Sequence, residues 1–318
     1  MAIRITNSMM SRGFLHNVNG AMRRMDHFQT KLYTGKEINR LSDDPLNLQT
    51  LLRVDTSQVE TTQYMTNLEF MLGVHGATEA ALNTIIEVVS RMRTLAVAAL
   101  NDTNTSDERH IMAADVASML EHLIDVGNAE YQGTFIFAGT DFIRRPFTLN
   151  TEEYIPTYTN PHELNREPRF MEIGNDVIFK FNRTAFDIFG DEVEDPDAIG
   201  DGNLLATMRR FAQALLLDGE EHVFEVREQM ETALAELHDH FHRINHIRSE
   251  YGTLEIRMRA THTRHFNALT TLNNLRHTVE DADLAEAIMH LKSQETVFRA
   301  ALETGARLLP PTLVDYLR

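Results

Sequence analysis

The sequence contains neither cysteine nor tryptophan among its 318 residues. The absence of cysteine excludes a disulfide scaffold, thiol catalysis and zinc or iron–sulfur sites built on cysteine. The longest apolar runs, such as residues 95–100, fall far short of the roughly 20 residues that a membrane span requires. The first ten residues also lack the apolar core and small-residue cleavage site of a signal peptide.

Basic residues are scarce relative to acidic ones. The chain has 30 Lys and Arg against 47 Asp and Glu, which gives a formal net charge of −17. Binding to nucleic acid without sequence preference, or to an anionic membrane, needs clustered basic residues, so both are disfavoured. The hydrophobic share of 42% and charged share of 24% are ordinary for a folded protein.

Proline is rare and unevenly placed. It occurs at Pro45, then five times between residues 146 and 196, and finally at Pro310 and Pro311. Because proline interrupts helix interiors at a cost of about 3 kcal/mol or more, the two long proline-free stretches favour helices. The proline-rich stretch between them favours strands and loops.

The second proline-free stretch carries the strongest periodic pattern. Sixteen positions from Val226 to Val279 alternate in spacing between four and three residues, and all but His240, Thr261 and His265 are apolar. This spacing predicts one coiled-coil helix, about 80 Å long at 1.5 Å per residue. The pattern loses phase at residues 280–283 and resumes as a second helical segment that includes Leu284, Ile288, Leu291, Phe298, Leu302 and Leu309.

The first proline-free stretch predicts partner helices. Residues 82–99 and 112–126 each carry an apolar seam, and a polar turn separates them. Thr105 and Glu108 form the sequence signature of a capping box, and Asp44 before Pro45 is typical of a helix start. A further seam at the N-terminus contains Leu15, Val18, Met22, Met25 and Leu32.

The region between the helical stretches predicts β-structure. Residues 170–173 and 177–181 are rich in strand formers and flank Gly174 and Asn175, a hairpin pattern. The acidic residues 191–201 indicate a solvated loop. The predicted fold is mainly α: a long antiparallel helical coiled-coil rod built from both chain ends, with a small β-rich inserted domain. We expect terminal helices at 1–40 and 281–318, a helical rod at 41–140 and 204–280, and an inserted domain at 141–203.

The only conspicuous cluster of potential metal ligands is a histidine run. His238, His242 and His246 share one helix face at spacings of four, but they spread over about 12 Å, too far for one ion. We interpret the run as a polar helix face. Carboxylate pairs are frequent and none stands out, and there is no phosphate-binding loop, dinucleotide fingerprint or nucleophile elbow. We therefore predict no enzyme activity, no catalytic residue, no cofactor and no metal.

Three motifs carry a resemblance to one protein family. Residues 33–45, YTGKEINRLSDDP, resemble the N-terminal signature of bacterial flagellins. Residues 279–286, VEDADLAE, with the seam that follows and the ending PPTLVDYL, resemble the flagellin C-terminal signature. Residues 132–140, QGTFIFAGT, resemble a motif of the hook-associated junction proteins of this family. The resemblance covers roughly residues 1–140 and 205–318.

The resemblance implies a structural component of the bacterial flagellum, the junction protein directly beneath the filament. It implies polymerisation through terminal segments that fold on assembly, into a ring between another hook-associated protein and flagellin. It also implies export through the flagellar type III apparatus without a cleaved signal peptide, aided by a chaperone that binds the C-terminal region. Filament flagellin itself and a generic coiled-coil adaptor are the alternatives.

Two groups of residues follow as functional candidates. The predicted subunit interface lies on the terminal seams and comprises Leu15, Val18, Met22, Met25, Leu284, Ile288, Leu291, Phe298, Leu302, Leu309, Leu313 and Leu317. The family motif, which we expect to cap the first long helix, comprises Thr34, Gly35, Asn39, Ser42, Asp43, Asp44 and Pro45.

Overall fold

The computed structural model describes residues 7–40, 42–101, 104–150, 157–159, 167–190, 202–217 and 223–308. The helices in these ranges are α1 (Asn7–Thr34), α2 (Pro45–Ala99), α3 (Ser106–Gly127), α4 (Ala185–Phe189), α5 (Leu204–Leu216), α6 (Val223–Glu280) and α7 (Leu284–Leu308). The predicted mainly helical fold is confirmed. In the described ranges no helix combines the length and apolar character needed to cross a membrane.

Local sequence signals set the helix ends where they were expected. The side chain of Thr105 accepts a hydrogen bond from the backbone N–H of Glu108, and the Glu108 carboxylate accepts one from the Thr105 N–H, which completes the predicted capping box. The Asp44 carboxylate accepts hydrogen bonds from the N–H groups of Leu46 and Asn47, both at 3.1 Å, at the start of α2. Helix α6 ends at Glu280, where the apolar repeat loses phase.

The chain divides into two compact units. A terminal unit is formed by Met1–Thr61 and Asn267–Arg318, and a central unit by Thr62–Phe266. The sequence-based division into three parts stays a prediction. The predicted loop at residues 191–201 lies outside the described residues.

The central unit holds the hydrophobic core. The predicted seam positions of α2 are buried, and they are Leu82, Ile85, Val89, Met92, Ala96 and Ala99. Helix α3 contributes Val116, Met119 and Leu123 to the same cluster. Near the end of α3, Gly127 leaves room for the ring of Phe147, which would lie 2.7 Å from a methyl group on this residue. Apolar burial at these positions is the main stabilising contribution to the unit.

The strands form three two-stranded antiparallel sheets within the described ranges. The pairs are β1 (Glu130–Tyr131) with β2 (Thr134–Phe135), β3 (Thr148–Asn150) with β4 (Thr157–Thr159), and β5 (Phe170–Gly174) with β6 (Val177–Lys180). The last pair is the predicted hairpin, in which Met171 lies opposite Phe179. Its inward residues Ile173 and Phe179 are buried in the core, and His265 on α6 hydrogen-bonds the Ile173 carbonyl at 2.7 Å.

Among the described residues of the central unit, His75 and His240 are the buried histidines. His240, one of the polar exceptions in the α6 seam, accepts a hydrogen bond from the Arg243 guanidinium at Nδ1 (3.0 Å). Burial, together with the charges of Arg243 and Arg210, lowers the pKa of His240 to about 4. His75 on α2 lies against Tyr251 and bonds its carbonyl at 2.9 Å, and burial lowers its pKa as well. Both imidazoles are therefore neutral in the folded state at neutral pH.

We expect the free energy of unfolding to fall as the pH drops below 6.5. The unfolded chain binds protons on these histidines near pH 6.5, whereas folded His240 does so only near pH 4, so the unfolded state gains protons first. The loss from His240 alone should reach about 3 kcal/mol at pH 4, at 1.36 kcal/mol per pKa unit.

Urea unfolding between pH 7.5 and 5 tests this pH dependence. His240→Gln should flatten it, whereas His246→Gln, at an exposed position of the same helix, should leave it unchanged. An equally steep dependence in His240→Gln would contradict the assignment.

Candidate assembly surface on the terminal helices

The first and last helices pack against each other in antiparallel orientation. Three contacts define their register: the Phe14 ring lies against Gly305, Arg24 Nε donates to Gln294 Oε1 at 3.0 Å, and the ring of Phe28 stacks on that of His290 with centroids 5.1 Å apart. In each pair the two residue numbers sum to about 319. The two ends of the chain therefore form one structural element.

Small residues occupy the centre of this contact. Ala21 on α1 is 2% exposed and Ala287 on α7 is 4% exposed. A methyl group on Gly305 would lie 2.1 Å from the Phe14 ring, so the ring occupies the space that a larger residue would need. The small residues thus allow close approach of the helices, while larger seam residues such as Val18, Met25 and Phe298 are only partly buried.

The predicted interface residues fall into three groups. Val18, Met25, Leu291 and Phe298 are partly buried on the terminal helices. The residues that remain about half exposed, at 45–54%, are Leu15, Met22, Leu284, Ile288 and Leu302. Leu309, Leu313 and Leu317 lie outside the described residues. The predicted residues therefore divide between partly buried seam positions and more exposed positions.

Several of these exposed residues share one edge of the helix pair. Leu15 and Met22 each follow an α1 seam position by one residue, and Ile288 and Leu302 do so on α7. In an antiparallel pair, positions that follow the seam in this way lie along the same side of both helices. Together they form what we call the apolar edge (Leu15, Met22, Ile288 and Leu302). An exposed apolar strip of this kind is typical of an interaction surface.

The family motif connects α1 to α2. Gly35 adopts a positive φ of 69°, which favours glycine, and its N–H donates to the Lys31 carbonyl at 2.9 Å to end α1. The Asp43 carboxylate then accepts hydrogen bonds from the N–H groups of Asn39 (3.1 Å) and Arg40 (2.8 Å), which forms a tight turn. With Asp44 at the start of α2, the motif ends one helix and begins the next.

The same motif also contacts the segment between α6 and α7. The N–H of Glu37 donates to the Glu280 carbonyl at 2.7 Å, and the N–H of Ala282 donates to the Gly35 carbonyl at 3.0 Å. These bonds flank a β-bridge between Lys36 and Asp281. The sequence alone does not predict this pairing. The feature that could have suggested it is that each family motif interrupts the helical pattern directly beside a terminal seam.

The histidine run lies elsewhere, in the central unit. His238 and His242 approach to 3.0 Å between their Nε2 atoms, and Arg93 donates to His238 Nδ1 at 3.1 Å. Both ring nitrogens of His238 thus already have hydrogen-bond partners, Nδ1 in Arg93 and Nε2 in His242. Among the described residues, no group of three or more potential ligands is arranged to hold a metal ion.

A family comparison bears on this geometry. Residues 5–141 match the model of the bacterial flagellin N-terminal helical region, which includes α1, the family motif, α2 and α3. The match covers less than half of the chain, and over these residues the chain is similar to flagellins.

Curated relatives include hook-associated proteins and flagellins. The chain is 23% identical over 217 residues to flagellar hook-associated protein 3 of Escherichia coli (strain K12), which covers 67% of each sequence. It is 28% identical over 124 residues to a flagellin of Clostridium tyrobutyricum, covering 39% of this chain and 33% of that flagellin. The similarity to the hook-associated relative thus extends over a larger share of both sequences.

Solved structures share the fold. A putative flagellar hook-associated protein from Vibrio parahaemolyticus aligns with a TM-score of 0.63 at 19% identity, covering 75% of this chain and all of that one. The flagellar junction protein FlgL from Legionella pneumophila aligns with a TM-score of 0.56 at 13% identity, covering 73% of this chain and all of that one.

Two glycine substitutions should distinguish the contribution of helix propensity from that of packing to the stability of α1 and α7. Gly305→Ala should loosen the α1–α7 contact, because its methyl group displaces the Phe14 ring. Gly13→Ala, where nothing lies within 4 Å, should stabilise α1 by up to about 1 kcal/mol.

Amide hydrogen exchange of α1 and α7, compared between the two variants and the parent, measures this difference. We expect faster exchange in both helices of Gly305→Ala and slower exchange in α1 of Gly13→Ala. Slower exchange in both variants would mean that propensity alone governs the helix pair.

Proposed function

We propose that this protein is the hook–filament junction protein. It joins the hook side of the flagellum to the flagellin filament by polymerising through its terminal helices. The observation that carries this proposal is the distribution of apolar residues on α1 and α7. Small residues lie in the seam, while Leu15, Met22, Ile288 and Leu302 stay about half exposed on one edge.

An isolated pair of this kind is marginal in water. Ordering a residue costs about 1–2 kcal/mol of backbone entropy, and the seam offsets only part of it, because its larger apolar side chains such as Met25 and Phe298 are only partly buried. Fully burying a leucine, isoleucine or methionine contributes about 1.5–3 kcal/mol. Neighbouring copies that cover the apolar edge would supply this term, so the terminal helices become stably folded when the protein assembles.

The partners follow from this mode of assembly. Copies of the protein form a ring, with another hook-associated protein on one side and flagellin on the other. Because such stacking is heterologous, the two ends of each subunit present different surfaces, as an adaptor between unlike neighbours requires. The role is structural, without catalysis or a cofactor.

The route of export is part of the same proposal. We propose that the chain reaches an extracellular position through the flagellar type III apparatus, without a cleaved signal peptide and with a chaperone on the C-terminal region. A chain without cysteine carries no risk of disulfide cross-linking during passage as an unfolded polypeptide. Export as an unfolded chain also fits terminal helices that are marginal before assembly.

Deletion of the gene is the direct test of function. The deletion strain should retain intact hooks, lack filaments and release flagellin monomers into the medium, because flagellin then has nothing to assemble on. Electron microscopy and immunoblots of the medium would record this, and complementation in trans is the control.

Other outcomes of the deletion refute the junction role. Loss of the filament with persistent junction and cap proteins would favour filament flagellin instead. Unchanged filaments and motility would favour a coiled-coil adaptor outside the axial structure.

The apolar edge can be tested on its own. Leu15→Arg combined with Leu302→Arg should abolish assembly, because guanidinium groups would have to be buried between subunits. Circular dichroism should show an intact central unit, and Ile143→Arg, at a position that is 75% exposed outside this edge, should assemble normally. Complementation of the deletion strain is the measurement, and normal filaments in the double variant would contradict the assigned interface.

A further inference from the structure

A compact ionic cluster lies where the two connecting segments of the terminal unit meet. Glu280, the last residue of α6, is only 7% exposed. Its carboxylate contacts the ammonium group of Lys36 from the family motif and accepts a hydrogen bond from Arg276 Nε at 2.7 Å. Arg276 also lies 3.5 Å from the Asp55 carboxylate on α2. One buried anion thus joins two cations from opposite ends of the chain.

The seam of the terminal helices does not by itself fix their register. The apolar and small positions of α1 and α7 repeat every seven residues. A shift of seven residues would bring Ala21 opposite Gly305 and Phe28 opposite Phe298, an arrangement that could also pack. Sequences whose apolar pattern permits such a slip need a further element to exclude it.

The connecting segments provide that element. In the observed register the Glu37 N–H reaches the Glu280 carbonyl and the Ala282 N–H reaches the Gly35 carbonyl. A slip of seven residues moves the segments apart by roughly 10 Å, at 1.5 Å per residue. The slip would break both bonds and separate Glu280 from Lys36, so that its carboxylate would keep only Arg276 of its own helix. Losing one partner of a buried ionic cluster is unfavourable, and a single buried polar group can fix the register of a coiled coil.

We propose that Lys36, Glu280 and Arg276 form a register lock that sets how α1 and α7 align. The residues act as positioning residues, because they touch neither the seam nor the apolar edge and determine which side chains of the two helices face each other. In the locked register Leu15 lies beside Leu302, which creates the continuous apolar edge. In the slipped register Met22 would take the place of Leu15 beside Leu302.

The absence of cysteine makes the register measurable by disulfide cross-linking. Leu15→Cys with Leu302→Cys reports the locked register, and Met22→Cys with Leu302→Cys reports the slipped one. The three positions are 54%, 45% and 54% exposed for Leu15, Leu302 and Met22, so the thiols are comparably accessible. The ratio of the two cross-linking rates in the full chain reports alignment independently of how often the helices form.

We expect the locked cross-link to form at least about tenfold faster than the slipped one in the parent background. Glu280→Gln and Lys36→Met should each lower this ratio at least fivefold, because either change removes the cross-chain ion pair. Lys36→Arg, which keeps the positive charge, should keep the ratio at the parent value. Lys31→Met is the matched control: Lys31 pairs with Glu37, so both partners belong to the N-terminal segment and the ratio should not change.

Three results would overturn the lock. They are a parent ratio near one, a parent in which neither cross-link forms, and a ratio in Glu280→Gln and Lys36→Met within twofold of the parent. The proposal concerns alignment within one chain, so it would survive a deletion phenotype that refuted the junction function.

Discussion

The antiparallel contact between α1 and α7 is the constraint on which the rest of the terminal unit depends. Because the two helices run in opposite directions, the segment after α1 and the segment before α7 must meet at the same end of the pair. Lys36 and Glu280 lie 244 residues apart in sequence and become neighbours for this reason alone. Two motifs that look independent along the chain are therefore halves of one structural element.

The composition of the α1–α7 seam explains how this element can serve assembly. Close packing through Ala21, Ala287 and Gly305 lets the helices approach each other, while larger seam residues such as Met25 and Phe298 stay partly buried. Leu15 and Leu302, beside the seam, are about half exposed. In the proposed assembly, neighbouring copies would cover these exposed side chains and supply the apolar burial that the isolated pair lacks.

The central unit follows the opposite rule. Its core buries leucines, isoleucines, valines, methionines and phenylalanines from α2, α3, α5 and α6, and it even accommodates His75 and His240 as neutral side chains. Such burial is enough to stabilise a unit without neighbours. The central unit thus buries its apolar side chains within the chain, whereas the terminal unit leaves the apolar edge exposed.

The sequence determined the parts of this protein that follow from local rules. Apolar spacing and proline placement located the long helices, Thr105 and Asp44 marked helix starts, and the residues around Gly174 predicted a hairpin. These signals act within about four residues along the chain. The motifs also indicated the similarity to flagellins over residues 5–141, and the apolar seams indicated the two helices that carry the candidate surface.

Only the tertiary structure decided which residues of those helices face each other. From the apolar pattern, Leu15 and Ile288 looked like seam residues, but they follow the seam residues Phe14 and Ala287 by one position and are about half exposed. The sequence likewise does not predict that Lys36 pairs with Glu280. Register and pairing across more than 200 residues depend on the combined packing of both segments, and neither segment encodes them alone.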